Sequence, residues 1–392
     1  MALAKMGWDS DSFKGLIIET LEPYFENKQF LKEKAIDLLS AEAANVGMIG
    51  QDVKAERWLR QLLAIHRTAS KASEEVCFQT IGYWEQAIAH GRDEFWSAAV
   101  LERDTSELSL EDLKFEMFRS IGMLIEACLQ PLLKALLAQV RLARGDLQPN
   151  QNLLDLELGK VIDELFLKLP DSEIVAPAPW NVRLNQWRNM AQHHKTEVRG
   201  DRIVGVYGVG MKQTEIKLTR NGILEFGARL GLVLRVVRGS RAIFMFDNLE
   251  KIEPHFPTLH EREDVRVFHL AAPFATQGFQ IERFEIIDKT AHVRIRDRIG
   301  GDIQRRTVHC SQLVFPIWLH FPYEAIEIEF MDVSGKSSVL IKASGADLAL
   351  ANEKPEPWED LAKGVKFHRP LPTRPSDVEP PPATPLDGSG AR

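Results

Sequence analysis

The sequence predicts an α+β chain: an all-α N-terminal region, a helical bundle carrying a small β-hairpin, and a β-rich C-terminal domain. Three observations predict it. Apolar residues recur at helical spacing through most of the first two hundred positions. The period then changes to two near Arg202, and a series of alternating segments separated by Gly-containing turns follows residue 260. A chain of 392 residues also exceeds one ordinary core. The expected divisions are 1–110, 111–247, 260–350 and a Pro-rich tail, 351–392, with disorder expected from Pro370 to Arg392.

The N-terminal helices are read from Phe13, Ile17, Leu21 and Tyr24, from Ala35, Leu38, Leu39 and Ala43, and from Trp58, Leu59, Leu62 and Leu63. Val76, Ile81, Trp84 and Ile88 mark another, with His90-Gly91 as its expected stop. Trp84 and Trp96 read as core or interface residues, since aromatics at helical spacing usually pack. Ser109 and Asp112 resemble a capping box, although Asp is shorter than the preferred Glu. They open the most apolar run of the chain, through Phe115, Phe118, Leu129, Leu137 and Val140. Being apolar nearly all round, it is expected to be a central buried helix, kinked at Pro131 and stopped by Gly145. Glu126, Gln130, Pro131 and Lys134 within it argue against a membrane span. Glu126 has two readings: a solvent-facing or structural acid, or a salt bridge that positions Arg188.

A second long helix is expected from Leu153 to Leu169, broken by Pro170, Pro177 and Pro179, with Pro179 suited to the first turn of the next helix, Trp180 to His194. Arg202 to Val206 and Gln213 to Leu218 read as a hairpin, and Thr219 as the cap of a helix through Ile223, Phe226, Leu230, Val233 and Val237. Asn248 to Glu263 reads as a connector. Strands are expected at Val265–Leu270, Phe279–Ile287, Ala291–Ile299, Ile303–His309, Ala325–Phe330 and Ser338–Ala343.

Composition narrows the function classes. The formal net charge of -7 argues against a generally basic nucleic-acid coat but leaves room for a local basic site. Cys77, Cys128 and Cys310 are too few and too scattered for a disulfide framework or a zinc site, which suits a reducing cytoplasmic compartment. Met1 to Ser12 lacks the basic and apolar regions of a signal peptide. Neither a P-loop nor a nucleophile elbow occurs, and the order of Gly205, Gly208 and Gly210 is wrong for a dinucleotide fingerprint. No metal and no cofactor is expected.

The stretch Trp187 to Lys195 concentrates the usable chemistry: Arg188, Asn189, His193 and His194 lie within two turns. Arginine offers a permanent charge and a planar fork of donors suited to phosphate. Histidine moves a proton near neutral pH. Together they could cleave RNA without metal, one group taking the proton of a ribose 2'-hydroxyl while the guanidinium stabilises charge on the phosphoryl oxygens. On an ideal helix Arg188 and His193 are roughly 140° apart, whereas Asn189 and His193 share a face. Two copies of the helix facing each other would pool these groups, so a homodimer with a composite site is expected. His194 reads either as a second imidazole of the site or as a helix C-cap.

Arg188-Asn189 followed by His193 resembles the Arg-polar-x-x-x-His signature of HEPN domains (higher eukaryotes and prokaryotes nucleotide-binding). The flanks are similar as well: Leu184-Asn185-Gln186-Trp187 before it, His193-His194 within it, and the hairpin and helix from Arg202 and Thr219 after it. The resemblance covers about residues 111–238. It implies a dimerising helical domain, in many members a metal-independent endoribonuclease of toxin, CRISPR or anti-phage systems, with Arg188 and His193 catalytic and Asn189 supporting them. Other members are non-catalytic and bind RNA, nucleotide or a partner protein. An antitoxin or trigger-sensing partner is expected on the same ground.

Lys195 is a candidate RNA contact beside the motif. In the β-rich region His292, Arg294, Arg296 and Arg298 alternate and so share one face of a strand. They read either as a charged, solvated surface or as a phosphate-tracking one, and Glu327 and Glu329 could neutralise them.

Overall fold

The computed structural model describes residues 10–99, 107–208, 210–256, 267, 270, 274, 277–352 and 363–368. The chain is α+β, and its contacts divide it into two compact units, residues 9–266 and a second formed chiefly by residues 267–392.

The first unit is helical: α1 Ser10–Leu21, α2 Lys28–Ile49, α3 Val53–Ala72, α4 Glu74–Ala99, α5 Leu110–Met123, α6 Gln130–Leu142, α7 Leu158–Lys168, α8 Leu184–Gln192 and α9 Arg220–Asp247. Polar side chains start these helices where the backbone N–H groups lack partners. Asp52 accepts from the N–H groups of Lys54 and Ala55, Ser109 from that of Asp112, and Thr219 from that of Gly222. A three-stranded sheet, β1 Thr196–Arg199, β2 Arg202–Tyr207 and β3 Thr214–Leu218, lies between α8 and α9 in sequence. Strand β1 was not among the expected strands.

The boundary expected at residue 110 is absent. One core holds Leu21, Trp58 and Trp84 together with Leu133, Trp187 and Phe226. The reason is the run from α5 to α6: in its second half every residue from Leu132 to Val140 is buried, whereas α5 is amphipathic, with Glu111, Phe115 and Arg119 exposed, and is not the all-round apolar helix expected. Helices α3, α4, α7 and α9 pack around α6, while α8 and α9 pack on α5. The run passes a length and hydropathy test for a membrane span, yet 78% of its apolar window is buried in this core.

Between α5 and α6 lies a π-helical turn, Leu124–Leu129, in place of a simple kink. The Gln130 N–H reaches back to the Ile125 carbonyl, five residues away. Pro131 has no N–H to offer the Ala127 carbonyl, so the α-helical ladder cannot continue there. Helix α4 comes closest at this turn. Gly91 is no helix stop: it lies inside α4, and a Cβ on it would fall 1.9 Å from the Ala127 carbonyl oxygen.

Two other helices begin later than expected. Helix α7 starts at Leu158 because the preceding residues form turns, and Leu154 is exposed rather than on the apolar face. Helix α8 starts at Leu184 because Trp180 and Asn181 belong to a turn in which the Asn181 N–H bonds the Pro177 carbonyl. Pro179 therefore lies before the helix, not in its first turn.

The second unit is a five-stranded sheet, β4 Phe279–Ile287, β5 Thr290–Asp297, β6 Ala325–Met331, β7 Ser337–Ser344 and β8 Lys366–His368, in that spatial order. Strands β5 and β6 are parallel and the other pairs antiparallel. A parallel pair needs a crossover, and here helices α11 Ile303–Ser311 and α12 Val314–His320 supply it (α10, Leu249–Ile252, belongs to the first unit). The strand expected at Ile303–His309 is thus a helix, started by Asp302, which accepts from the N–H groups of Gln304 and Arg305. Strand β8 falls inside the expected Pro-rich tail; residues 369–392 lie outside the described residues. So does the strand expected at Val265–Leu270, apart from Val267 and Leu270, whose backbone is helical.

His66 on α3 is fully enclosed and stacks on Phe244 of α9, ring centroids 5.5 Å apart and planes 19° apart. Burial, with the Arg241 charge nearby, pushes its pKa down to about 3. The folded state resists a proton that the unfolded chain binds below about 6.5. Stability linked to His66 is therefore complete above that value and is lost as pH falls below it.

Two outcomes are expected. Replacing Gly91 with Ala should lower stability by about 1–3 kcal/mol, because backbone meets backbone at the π turn; an unchanged thermal midpoint would show that the helices can part freely. Denaturation between pH 7 and pH 4 should show wild type losing up to about 1.4 kcal/mol per pH unit through His66. His66→Phe, which preserves the stack, should flatten that slope, and parallel slopes would refute the assignment.

Candidate active site

Helix α8 is short and its roles divide by face. Leu184, Trp187 and Met190 are buried at spacing three. Trp187 stacks on Phe226 with centroids 3.6 Å apart and planes at 17°, and Trp180 meets both rings edge-on. Phe118 of α5 lies 6.3 Å from Trp187. Gly122 lets α5 approach Ala191, since a Cβ on it would be 2.9 Å from the Ala191 Cβ. On the other side Gly205 of β2 lies against the Met190 sulfur, so this glycine serves packing.

That close crossing sets the reach of the next turn. Four residues beyond Gly122, Glu126 meets Arg188 in a two-pronged pair. Its Oε2 accepts from Arg188 Nε, and its Oε1 accepts from Nη2 at 3.1 Å. Nη1 donates to the Asn189 side-chain oxygen at 3.3 Å. Gln192, one turn on from Arg188, donates to Glu126 Oε2 at 3.1 Å. The carboxylate raises the Arg188 pKa above its ordinary value chiefly by accepting these hydrogen bonds. Glu126 forms the salt bridge to Arg188 with its side chain still partly open to solvent, and it is supplied by the π turn.

His193 is exposed at the C-terminal end of α8, its N–H bonded to the Asn189 carbonyl at 3.0 Å. No side-chain hydrogen bond joins it to Arg188 among the described residues. His194 has φ +49° and Lys195 N–H reaches back to the Met190 carbonyl at 3.1 Å. This is the left-handed helix ending usually given to glycine, so His194 is a capping residue with an exposed ring. Lys195 is exposed, and its carbonyl accepts from the Val206 N–H, joining the helix end to β2.

The structure therefore brings together Glu126, Arg188 and Asn189, and leaves His193 apart. Sequence reading missed Gln192, which helical spacing from Arg188 would have found. Lys134, two turns beyond Glu126, donates from its ammonium to the Leu154 carbonyl at 2.6 Å. Burial lowers the Lys134 pKa, against the opposing pull of Asp155 and Glu126.

Arg294, Arg296 and Arg298 belong to the second unit. Alternation along β5 is as expected, with Ala291, Val293, Ile295 and Asp297 buried on the opposite face. Each guanidinium is already engaged. Arg294 pairs with Glu329 at 2.8 Å, Arg296 with Glu282 at 3.3 Å and the Val333 carbonyl at 3.0 Å, and Arg298 donates to Gln280 at 2.6 Å. His292 faces Glu327 at 3.3 Å. Of the two acids expected to neutralise this face, Glu329 pairs with Arg294, while Glu327 is shared between His292 and Lys342. Arg305 and Arg306 sit on α11 instead of a returning strand, and Arg306 binds the buried Asp297 at 2.9 Å. Among the described residues, no group of three or more His, Cys, Asp or Glu side chains converges as metal ligands would.

Comparisons with protein-family models, with curated proteins and with solved structures gave no significant match. The site rests on its own geometry, whose base is the aromatic stack under α8. Trp187→Ala should cost about 3–5 kcal/mol and loosen α8, seen as faster amide exchange from Trp187 to His193. Unaltered exchange there would show that the stack does not hold the helix.

Proposed function

We propose that the chain is a metal-independent endoribonuclease of HEPN type that acts as a cytoplasmic homodimer, in toxin action or anti-phage defence. The observation carrying this reading is the division of α8: it presents Arg188, held by Glu126 and braced by Asn189, and five residues on it presents an exposed His193. A guanidinium and an imidazole are the pair that transesterification of RNA needs. In the proposed reaction the ribose 2'-oxygen attacks the adjacent phosphorus and gives its proton to the His193 imidazole. Arg188 stabilises the charge on the phosphoryl oxygens. The bond to the 5'-oxygen breaks, that oxygen takes the proton back from the imidazolium, and the products are a 2',3'-cyclic phosphate and a 5'-hydroxyl. Because Arg188 faces Glu126 while His193 faces solvent, the pair is completed by a second copy of α8 across a two-fold axis. Lys195 lies where it could follow the RNA backbone.

A second reading is a non-catalytic HEPN-like dimer that binds RNA, nucleotide or a partner protein. The engagement of all three Arg188 nitrogens by Glu126 and Asn189 favours it.

Purified full-length protein incubated with total RNA in EDTA separates the two. Cleavage lost at least about a hundredfold in both Arg188→Ala and His193→Ala, with circular dichroism unchanged, is expected of the ribonuclease. Mixing the two inactive variants should restore part of the activity if one copy supplies each group. Undiminished cleavage in either single variant would overturn the site.

A further inference from the structure

We propose that Glu126 occupies the anion-binding position of Arg188 and must leave it before a phosphodiester can bind, so that the described conformation is a closed state of the site. This rests on the reading of Arg188 as the phosphate-binding group. Arginine grips a carboxylate and a phosphate through the same two parallel N–H bonds. Glu126 supplies that second partner internally: its two oxygens take Nε and Nη2, and Asn189 takes Nη1. All three guanidinium nitrogens are thus engaged by the protein itself. A phosphate could bind only by replacing the carboxylate or by accepting poorer geometry beside it, against the repulsion of a neighbouring negative charge.

The carboxylate is also placed to let go. The pair is partly open to solvent, with side-chain exposure of 27% for Arg188 and 38% for Glu126, so neither ion would be stranded in a dry interior when they part. Gln192 provides the other hydrogen bond to Glu126 and could keep one oxygen while Arg188 turns away. The carboxylate sits in the π turn, the segment of the α5–α6 run whose hydrogen-bond ladder is already shifted. Residues there change their direction around the helix when such a turn relaxes, by about 100° per residue of register.

The competing role for Glu126 is only to orient Arg188, and the two roles predict opposite effects of removing its charge. The full-length chain and its Glu126→Gln, Glu126→Asp, Arg188→Ala and double Glu126→Gln/Arg188→Ala variants would be titrated into a fluorescein-labelled oligoribonucleotide with every 2'-hydroxyl methylated, at fixed low salt, by fluorescence anisotropy. The methyl groups block cleavage and leave the phosphates intact. Release of Arg188 in Glu126→Gln should tighten binding about fivefold. Glu126→Asp, which keeps the charge and shortens its reach, should fall between, and it serves if the Gln variant does not fold. The double variant should bind as weakly as Arg188→Ala. Binding by the Gln and Asp variants equal to or weaker than wild type, with Arg188→Ala weaker still, would overturn the closed state and leave the ribonuclease reading standing. Undiminished binding by Arg188→Ala would overturn both.

Discussion

Much of the helical unit follows from one constraint: the run from Leu110 to Leu142 carries a segment, Leu132 to Val140, that is buried on every side and has to be enclosed on every side. A helix with a single apolar stripe could have rested on one neighbour. This one draws α3, α4, α7 and α9 around α6, and α8 and α9 onto α5. The N-terminal helices therefore cannot be a separate domain, whatever the composition of residues 1–110 suggests. The same enclosure makes any charge in the middle of the run expensive. Glu126 meets Arg188 and Gln192 where the pair is partly open to solvent, and the buried Lys134 ammonium finds the Leu154 carbonyl. The polar features of the candidate site are thus consequences of the core's shape.

The π turn connects these facts. Pro131 removes one donor, the ladder shifts by one residue, and Glu126 is carried by the shifted segment. Gly91 allows α4 to lie directly on the Ala127 carbonyl that Pro131 cannot serve. Gly122, one turn before Glu126, lets α8 approach through the Ala191 methyl group. Two glycines and a proline, ordinarily taken as helix breakers, here fix the spacing of three helices around one carboxylate.

This shows which parts of the chain were legible in its sequence. Local hydrogen-bond chemistry was: Ser109 and Thr219 start helices as their types suggest, and the hairpin and the β5 alternation appear where period two appears. So was the salt bridge of Glu126 with Arg188, as one of two readings, because a carboxylate inside an apolar run demands a cation. Gly91 was misread because a glycine that ends a helix and one that admits a neighbour look alike until the neighbour is known. Ile303 to His309 was misread because a short segment carries too few residues to separate period two from period 3.6; the parallel pairing of β5 with β6, which demands a crossover there, is a long-range fact. The pairing of Arg294 with Glu329 depended on register between strands 35 residues apart, which alternation along one strand does not contain.

The two imidazoles illustrate how position within a helix separates roles that residue type leaves joined. His193 and His194 are adjacent and chemically identical. His193 is still within the helix's hydrogen-bond ladder, while His194 has the left-handed backbone that lets Lys195 close the helix end. Substituting His194 disturbs a cap that glycine or asparagine could replace, whereas nothing in the cap depends on the His193 ring. Among the described residues no side-chain hydrogen bond engages the His193 ring, which leaves this exposed imidazole available for chemistry. Arg188 is the reverse case, a side chain whose every nitrogen the fold already uses. A site containing one free and one engaged partner on the same short helix has to change, by acquiring a second helix or by releasing the first bond, before both can act on one phosphate. For that reason the Glu126 pair, more than the spacing of the motif, decides what α8 can do.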